Sequence, residues 1–526
     1  MIAAITRHKV LAGILLVAAV LFSVLVYRMK GPYRSYRVDF VLPRSSEAVA
    51  PGVLEVGVAK RDITPDLTRC DPWTDLDNNG LFEPRKGDTY QDINNNGRFD
   101  AVWLAGFSSN RPAKGVHDEL WVRSIAFRNN GLTLVMTTID SIGIFHEKFI
   151  RVRKMLDPAL GIDHAMFSST HDHQAPDTMG IWSYSLLRPH FDHEYLDRVL
   201  AACKEAAEEA VRNLQPADML CAEVTIRPEG FVKDTRDPQC FDRSVCSMWF
   251  KSRATGETIA TLVSWGNHPE ALGSRNSLIT SDFVHFLRAG LEDGVPGPNG
   301  VEGFGGMCLY FQGSLGGLMT PLRLDVPHRD GERVFREDGF DKAQALGENV
   351  AILVANALRS EAVWVNERPE LAVAAKTIYV PMAGLYKYAI MLGLLHPGYY
   401  WGGKARTEVN AFRIGNVEIL TCPGELYPEI AEGCVEAPHG NDFRLAAPIE
   451  TPGLRRVMKG RMNLVINLAN DEIGYIIPKS QWDTKPPFTY GRNKAPYGEE
   501  NSGGPEAAPA CHREAMAVLE RLHGTY

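Results

Sequence analysis

A short polar run at positions 168 to 176 decides how the rest of the chain is interpreted. It reads Ser168-Ser169-Thr170-His171-Asp172-His173-Gln174-Ala175-Pro176 and follows the run His164-Ala165-Met166-Phe167. If that preceding run is a strand, residues two positions apart share a face, and His171 and His173 converge at its carboxyl end. Imidazole is the commonest metal ligand and titrates near neutral pH. The run therefore indicates a metal or acid–base site, and loop histidines bonded to backbone groups are the alternative.

The composition is that of a globular protein, and it argues against a nucleic-acid partner. The chain has 526 residues, 45% hydrophobic and 23% charged, with a net charge of -8. Phosphate binding needs a clustered basic surface, whereas the lysines and arginines here are scattered. The nine cysteines include no Cys-x-x-Cys pair, which argues against a zinc knuckle. Cys240 with Cys246, and Cys422 with Cys434, are close enough in sequence to pair in an oxidising compartment, but spacing decides neither pairing.

Residues 1–34 predict a membrane anchor. A basic segment precedes an uncharged run of eighteen residues from Val10 to Tyr27. A helix of that length spans about 27 Å, close to the thickness of the hydrocarbon core of a bilayer. Because no small-x-small cleavage site follows the run, we favour an uncleaved anchor over a signal peptide. Residues 35–526 are then expected outside the cytoplasm, on the periplasmic or extracellular face.

Two near copies of one acidic pattern lie within residues 71–100. Each copy has oxygen-bearing side chains at positions 1, 3, 5 and 9 and glycine at position 6, as in the first part of a calcium loop. The predicted calcium ligands are Asp75, Asp77, Asn79, Glu83, Asp92, Asn94, Asn96 and Asp100. Neither copy is an EF-hand, because Lys86 and Trp103 replace the bidentate glutamate at position 12. We favour calcium as a structural clamp, and a pair of Asx-turn loops without an ion is the alternative.

Apolar runs alternate with helical stretches from Ala101 onward, which predicts an α/β fold of layered mixed β-sheets with flanking helices. The predicted strands include 132–140, 258–265, 308–312 and 417–422, and the predicted helices include 146–156, 194–213 and 339–360. A polar residue lies at the carboxyl end of each of these strands, which is where open α/β sheets place their ligand-binding sites. We therefore expect a metal site at the strand carboxyl ends, within one catalytic domain.

Three strand-end residues, His171, His268 and Glu425, provide the two imidazoles and one carboxylate of a hydrolytic zinc site. At this point the chain resembles the neutral (non-lysosomal) ceramidase family, over its amino-terminal catalytic domain and as a divergent bacterial-type member. The family's Thr-His-Thr-His-Ser-Gly-Pro corresponds to residues 170–176, its Pro-Gly-Glu to 423–425, its Asn-x-x-x-x-Tyr to 470–475, and its later histidine with Ser-Asp to His268 with Ser281-Asp282.

The resemblance implies the roles of individual residues. The implied zinc ligands are His171, His268, Glu425 and Tyr475, with His173 beside them to orient water or the scissile carbonyl. Tyr490, Tyr497 and residues 503–505 are similar to the tyrosine-rich segment that closes over the family's site, and Tyr490 is taken as the catalytic tyrosine. For Tyr475 the alternative is core packing, and for Glu425 it is a helix-start carboxylate.

Three departures separate the chain from the family pattern. The stretch Gly-Asp-Val-Ser-Pro-Asn, to which a catalytic serine is attributed, is replaced by residues 316–321, where Thr320 alone stands in for the serine. The insert at 71–100 is extra, and we expect no C-terminal immunoglobulin-like domain.

The expected function is that of a zinc amidohydrolase acting on linear amides. A metal-bound water would attack an N-acyl lipid such as ceramide, or a related carbonyl. The alternatives are a catalytically inactive, membrane-tethered binding protein and a zinc hydrolase of a non-ceramide ester or amide.

Overall fold

The computed structural model describes residues 2–43, 50, 52–182, 192–391, 395 and 398–524, so the outer ends of the two predicted domain ranges, residues 1 and 525–526, lie outside it. The helices within the described residues are α1 (Ile2–Lys30), α2 (His146–Met155), α3 (His193–Arg212), α4 (Phe283–Glu292), α5 (Phe340–Arg359), α6 (Gly384–Met391), α7 (Pro428–Glu432), α8 (Leu454–Val457) and α9 (Ala507–His523). Single turns of 3-10 helix lie at Leu67–Arg69, Pro84–Lys86, Pro158–Leu160, Lys479–Gln481, Thr489–Gly491 and Tyr497–Asn501.

The strands of the first half of the chain are β1 (Asp39–Leu42), β2 (Glu55–Asp62), β3 (Trp73–Thr74), β4 (Thr89–Tyr90), β5 (Gly115–Val116), β6 (Trp121–Asn129), β7 (Leu132–Ile139), β8 (His164–Ser169), β9 (Gln215–Thr225), β10 (Lys233–Asp234), β11 (Ser244–Ser252) and β12 (Thr258–Trp265). Those of the second half are β13 (Leu278–Ile279), β14 (Gly294–Val295), β15 (Val301–Glu302), β16 (Met307–Gln312), β17 (Met319–Thr320), β18 (Val326–Pro327), β19 (Val334–Phe335), β20 (Trp364–Val365), β21 (Leu371–Pro381), β22 (Tyr400–Trp401), β23 (Lys404–Ile414), β24 (Val417–Thr421), β25 (Glu425–Leu426), β26 (Met462–Ile466) and β27 (Tyr475–Ile476).

Two large mixed sheets form the centre of the fold. One has the strand order β16-β12-β11-β9-β2-β6-β7-β8, with β20 added beside β9. The other has the order β1-β21-β23-β24-β26, with β22 added beside β23. The pairs β12–β16, β7–β8 and β24–β26 are parallel, and the other pairs within these two sheets are antiparallel.

The two sheets pack face to face, and helices cover their outer faces. Strand β7 illustrates this layering. Leu134 and Met136 lie in the core between the sheets, whereas Val135 and Ile139 lie in the core under α2 and α3. Alternate residues of a strand point to opposite faces, so a strand buried on both faces is apolar throughout. On the far side, α9 packs against the second sheet.

The predicted fold class is confirmed, because the layers are mixed sheets with flanking helices. The predicted strand 258–265 is β12, and the predicted strand 132–140 is β7 with one residue fewer. The predicted helix 194–213 is α3, displaced by one residue. These elements were predictable because their apolar runs or helical periodicity are long and are bounded by polar, glycine or proline residues.

Helix α1 is long and apolar enough to act as a signal sequence or a membrane anchor, since residues His8–Lys30 pass that test and none of its apolar window is buried inside the protein. Its leucine side chains face outward, and Leu16 is 67% exposed. Within the described part of the chain, no other element buries this apolar window.

The acidic insert forms two loops of the same conformation joined by the short pair β3–β4. In the first loop Asp75 accepts from the backbone amides of Asn79 and Gly80, and in the second Asp92 accepts from those of Asn96 and Gly97. The other predicted calcium ligands also converge within each loop: the amide groups of Asn79, Asn94 and Asn96 donate to the carboxylates of Asp77, Glu83 and Asp100.

The cysteine pairing differs from both pairings that sequence proximity suggests. Cys240 bonds Cys434, which lies 194 residues further along the chain. Cys246 and Cys422 are buried free thiols. The reason is the layering, because Cys246 lies in β11 between the two sheets and Cys422 lies in the core beneath α9.

A buried ion pair between Arg153 of α2 and Glu408 of β23 connects the layers. Two nitrogens of Arg153 donate to the two oxygens of Glu408 at 2.7 and 2.8 Å, and its Nε donates to the carbonyl of Ala165 in β8. Burial raises the pKa of the Glu408 carboxyl, but Arg153 outweighs burial and lowers that pKa to about 2. The stability that this pair contributes is present above the ordinary pKa of about 4.3 and is lost as the pH falls towards 2.

Replacing Glu408 by glutamine is expected to reduce the free energy of unfolding by about 3–5 kcal/mol, because Arg153 becomes an uncompensated buried charge. Denaturant unfolding of the full-length chain in detergent measures this. The matched control is Asp218→Asn, which breaks a pair with Arg253 at 2.7 Å whose side chains are both 48% exposed. The control should change stability by no more than about 1 kcal/mol. Equal losses in the two variants would contradict the role given to the buried pair.

Candidate metal centre

Two histidines enter the site with the same orientation. His171 follows β8 with φ of 66°, and the Nδ1–H of its ring donates to the carbonyl of Ile142 at 2.7 Å. His268 follows β12, and the Nδ1–H of its ring donates to the carbonyl of Met319 at 2.7 Å. A carbonyl oxygen only accepts, so in each ring Nδ1 carries the proton and Nε2 is directed into the site. The ring centroids lie 5.0 Å apart.

Glu425 and Tyr475 are brought side by side by a short parallel pair of strands. In the register of β25 and β27, Glu425 lies opposite Tyr475. The Glu425 Oε2 lies 3.1 Å from His268 Nε2 and 3.4 Å from His171 Nε2, and the Tyr475 hydroxyl lies 3.4 Å from His268 Nε2. Burial raises the pKa of Glu425, but the two imidazoles outweigh burial and hold the pKa well below its usual range.

His173 completes a triangle of imidazoles. Its ring centroid lies 5.0 Å from that of His171 and 5.5 Å from that of His268. The ring is seated on Gly106, where a Cβ atom would lie 2.5 Å from its Cγ. Both of its nitrogens are buried without a hydrogen-bond partner, although Nδ1 lies 3.4 Å from Glu270 Oε2. Burial, with the neighbouring His171, lowers the pKa of His173 well below its usual value.

The buried side chain of Arg111 fixes the loop that carries His171 and His173. Arg111 donates to the carbonyls of Ala105 and His173 and to the side chain of Gln174. Its side chain is fully buried, and burial lowers its pKa to about 10. No motif in the sequence singles out Arg111, because its partners are mostly backbone carbonyls brought together by the fold.

The Ser-Asp segment holds the loop that follows His268. The Asp282 carboxylate accepts from the backbone amides of Ala271, Leu272 and Phe283. It therefore ties the loop after His268 to the first turn of α4.

Thr320 is buried and bonded to a carboxylate that sequence reasoning did not select. Its hydroxyl donates to Glu270 Oε1 and accepts from the amide of Leu322. Burial raises the pKa of Glu270. The sequence signal for Glu270 was its place two residues after His268, at the end of an apolar strand. The structure therefore places Thr320 in contact with Glu270, which in turn lies beside His173.

A cavity of about 60 Å³ lies beside the imidazoles and Glu425. Its polar lining includes His171, His173, Glu425, Glu472 and Tyr475, and its apolar lining includes Ile142, Met179, Ile181, Trp182 and Tyr386. Glu472 was part of the motif at 470–475 but had no predicted role. Burial, with the charge of Glu425, raises its pKa well above the usual value, and its Oε2 has no hydrogen-bond partner.

The two tyrosines of the carboxyl-terminal segment are placed differently. Tyr497 lines the cavity, and its ring centroid lies 6.3 Å from that of Tyr475. Tyr490 is 41% exposed, and its hydroxyl donates to Glu436 at 3.1 Å. Tyr490 is not one of the residues that line the cavity, whereas Tyr497 is.

The donors present fit a metal ion. The nitrogens of His171, His173 and His268 lie within 4.8 Å of one another, so the three form a group able to hold a metal. The carboxylate of Glu425 and the phenol of Tyr475 add two oxygen donors to the same place. The two unpartnered nitrogens of the buried His173 are costly unless a bound ion, water or substrate satisfies them. Nitrogen and oxygen donors without thiolates suit zinc.

Comparison with known proteins identifies the fold. No protein-family model matches this chain, and no curated protein matches it in sequence. Among solved structures, the neutral ceramidase from Pseudomonas aeruginosa is similar over 89% of this chain and 74% of its own, with 16% identity and a TM-score of 0.61. A ceramidase complexed with C2 is similar over 89% of this chain and 76% of its own, with 16% identity and a TM-score of 0.59. The resemblance indicated by the sequence motifs is thus confirmed for the architecture: this chain has the neutral ceramidase fold.

Proposed function

We propose that this chain is a zinc-dependent hydrolase of linear N-acyl amides, with a ceramide-like lipid as its substrate class. The observation that carries the proposal is the convergence of three buried imidazoles, a carboxylate and a phenol, of which His171, His173, Glu425 and Tyr475 line one small cavity. The shared fold with a neutral ceramidase supports the reaction class.

Four residues would hold the metal: His171, His268, Glu425 and Tyr475. Zinc at such a site acts as a Lewis acid and makes water acidic enough to react near neutral pH. The carbonyls of Ile142 and Met319 fix the tautomers of the two ligand histidines, which keeps each Nε2 available. Breaking either backbone contact would let the corresponding ring rotate out of position.

His173 is proposed as the residue that orients water and the scissile carbonyl. Its ring is held by Gly106 and by an edge contact with Phe107 at 5.1 Å between centroids. An unpartnered nitrogen in the cavity wall is free to accept a proton or a hydrogen bond from a reacting group. The apolar wall formed by Ile142, Met179 and Trp182 would contact the hydrocarbon part of the substrate and exclude water.

Thr320 is proposed to act through Glu270, with its hydroxyl fixing that carboxylate next to His173. Tyr490 is proposed as a catalytic residue on the condition that its hydroxyl leaves Glu436, to which it donates a hydrogen bond, and turns towards the substrate. The absence of a serine at positions 316–321 favours one alternative, a metal-holding binding protein that does not hydrolyse amides. The other alternative is a zinc hydrolase of a non-ceramide ester or amide.

The proposed location is the outer face of a membrane that α1 crosses. The support is the length and apolar character of His8–Lys30, which a signal sequence would share. Calcium is proposed as a second, structural metal in the acidic insert. Its support is the convergence of side-chain oxygens in each loop, although Lys86 pairs with Glu83 at 2.7 Å in the first.

Removing a ligand and removing His173 should have different effects. His171→Ala and His268→Ala are expected to lose both zinc and amide hydrolysis, whereas His173→Ala should keep zinc and lose turnover by roughly 10²–10⁴-fold. Metal analysis of the full-length protein and assays with ceramide and simple N-acyl and ester substrates measure both. His439→Ala, at an exposed histidine, is the control and should change neither. Wild-type protein that holds stoichiometric zinc but cleaves no amide or ester would establish the binding-protein alternative.

Variants of Thr320 distinguish a positioning role of its hydroxyl from a nucleophilic role. Thr320→Val keeps the side-chain shape but removes the hydroxyl that donates to Glu270, and we expect a loss of only a few-fold in turnover with zinc retained. Thr320→Ser retains the hydroxyl and should behave like the wild type. Complete inactivity of Thr320→Val with zinc still bound would indicate instead that threonine is a covalent nucleophile.

Calcium should stabilise the protein through the insert. At one hundred times its dissociation constant, calcium is expected to add about 2.7 kcal/mol to the free energy of unfolding for each loop that it occupies. Thermal unfolding with calcium and with a calcium-selective chelator, at saturating zinc, measures the difference. The double variant Asp75→Asn, Asp92→Asn should show no calcium response. An identical melting temperature of the wild type under both conditions would mean that the loops are Asx turns without an ion.

A further inference from the structure

The carboxyl end of α1 is fixed to α6, to Gly398 and to β22. Helix α1 contacts both α6 and β22. The Lys30 ammonium lies 4.4 Å above the Trp401 ring of β22. Gly31 has φ of 60°, and a Cβ atom there would lie 2.8 Å from the carbonyl carbon of Gly398. Only glycine fits such a close backbone approach, so the carboxyl end of α1 is held directly against Gly398, two residues before β22.

The residues after α1 are also bonded to the body of the protein. Arg406 of β23 donates to the carbonyls of Tyr33 and Tyr36. The Tyr36 hydroxyl accepts a hydrogen bond of 2.7 Å from Arg153, the same side chain that pairs with Glu408. The chain therefore leaves α1 through fixed contacts, and the position of α1 determines which surface of the body faces the membrane.

That surface carries exposed aromatic and basic side chains. Tyr27 is 70% exposed, Tyr388 of α6 is 59% exposed and Trp401 is 44% exposed. Lys404 is exposed and lies opposite Trp401 in the register of β22 and β23. Tyrosine and tryptophan are enriched at the membrane–water interface, and lysine near it pairs with lipid phosphates. We call Tyr27, Lys30, Tyr388, Trp401 and Lys404 the interfacial platform.

Helix α6 lies between this platform and the candidate metal centre. Tyr386 lines the cavity together with His171 and Glu425. Tyr388, two residues further, is rotated by about 200° around the helix, and its side chain is exposed. One face of α6 therefore forms the cavity wall, and the opposite face belongs to the platform.

We propose that the interfacial platform lies in the headgroup layer of the membrane that α1 crosses, so that the cavity receives its substrate from the bilayer and not from water. The occupant of this surface is lipid, because the platform is continuous with α1 and combines aromatic with cationic side chains. The substrate part of the proposal rests on the proposed hydrolase function, whereas the location of the platform does not.

Lipid-dependent quenching tests the location. An environment-sensitive fluorophore is attached at Tyr388→Cys in the full-length chain, in a Cys70→Ser background, because Cys70 is half-buried and the other free cysteines are buried. The protein is reconstituted in phosphatidylcholine vesicles with or without brominated acyl chains. Val20→Cys in α1 reports insertion, and Phe443→Cys, at a residue 38% exposed on another loop, is the matched control.

The expected result is strong quenching at position 20, weaker quenching at position 388 and none at position 443. Quenching at 20 but not at 388 would overturn the proposal, as would equal quenching at 388 and 443. No quenching at position 20 would overturn it too, because α1 would not be inserted. A probe at 388 that is shielded but unquenched would identify a protein partner or a second copy in place of lipid.

Substrate delivery is tested separately. Tyr388→Ser should lower turnover of ceramide presented in vesicles by several-fold and leave turnover of ceramide dispersed in detergent unchanged. Equal effects on the two preparations would overturn lateral delivery. If neither preparation is cleaved by the wild type, the proposed hydrolase function fails, while the quenching result still decides where the platform lies.

Discussion

The buried pair of Arg153 and Glu408 joins four parts of the molecule that are distant in sequence. Arg153 lies in α2 and bonds the backbone of β8, whereas Glu408 belongs to the second sheet. The same guanidinium donates to Asn470, in the loop that leads to Tyr475, and to Tyr36, just after α1. An uncompensated charge at this depth is costly, so the pair keeps the two sheets, the Tyr475 loop and the segment after α1 in one arrangement.

The candidate metal centre depends on that arrangement because its residues come from different layers. His171 and His268 follow strands of the first sheet, while Glu425 and Tyr475 lie on a separate short pair beside the second. Asn470 connects them directly, since its amide and side chain bond the backbone of Phe167 in β8. A shift of one sheet against the other would separate the imidazoles from the carboxylate and lose the metal-binding geometry.

Under the proposal for the surface around α6, fixed contacts would also set how the protein lies against a membrane. Because α1 is fixed by Gly31 and by the contacts of Tyr33 and Tyr36, the position of the bilayer would be set by the body and not by a free linker. A small cavity whose wall is also part of an interfacial surface suits an amphiphilic substrate with one polar end at the metal.

The sequence by itself determined the local structure and most of the central residues. The apolar runs predicted β7 and β12, the helical periodicity predicted α3, and the histidine and Pro-Gly-Glu motifs selected residues that the structure brings together. Such patterns can be recognised in the sequence because they involve residues that are close together along the chain. The tertiary structure alone decided that Cys240 pairs with Cys434, that Glu270 lies beside His173, and that Tyr497 lines the cavity while Tyr490 does not. Those outcomes depend on how the two sheets are layered, and no periodicity in one segment records which distant segment packs against it.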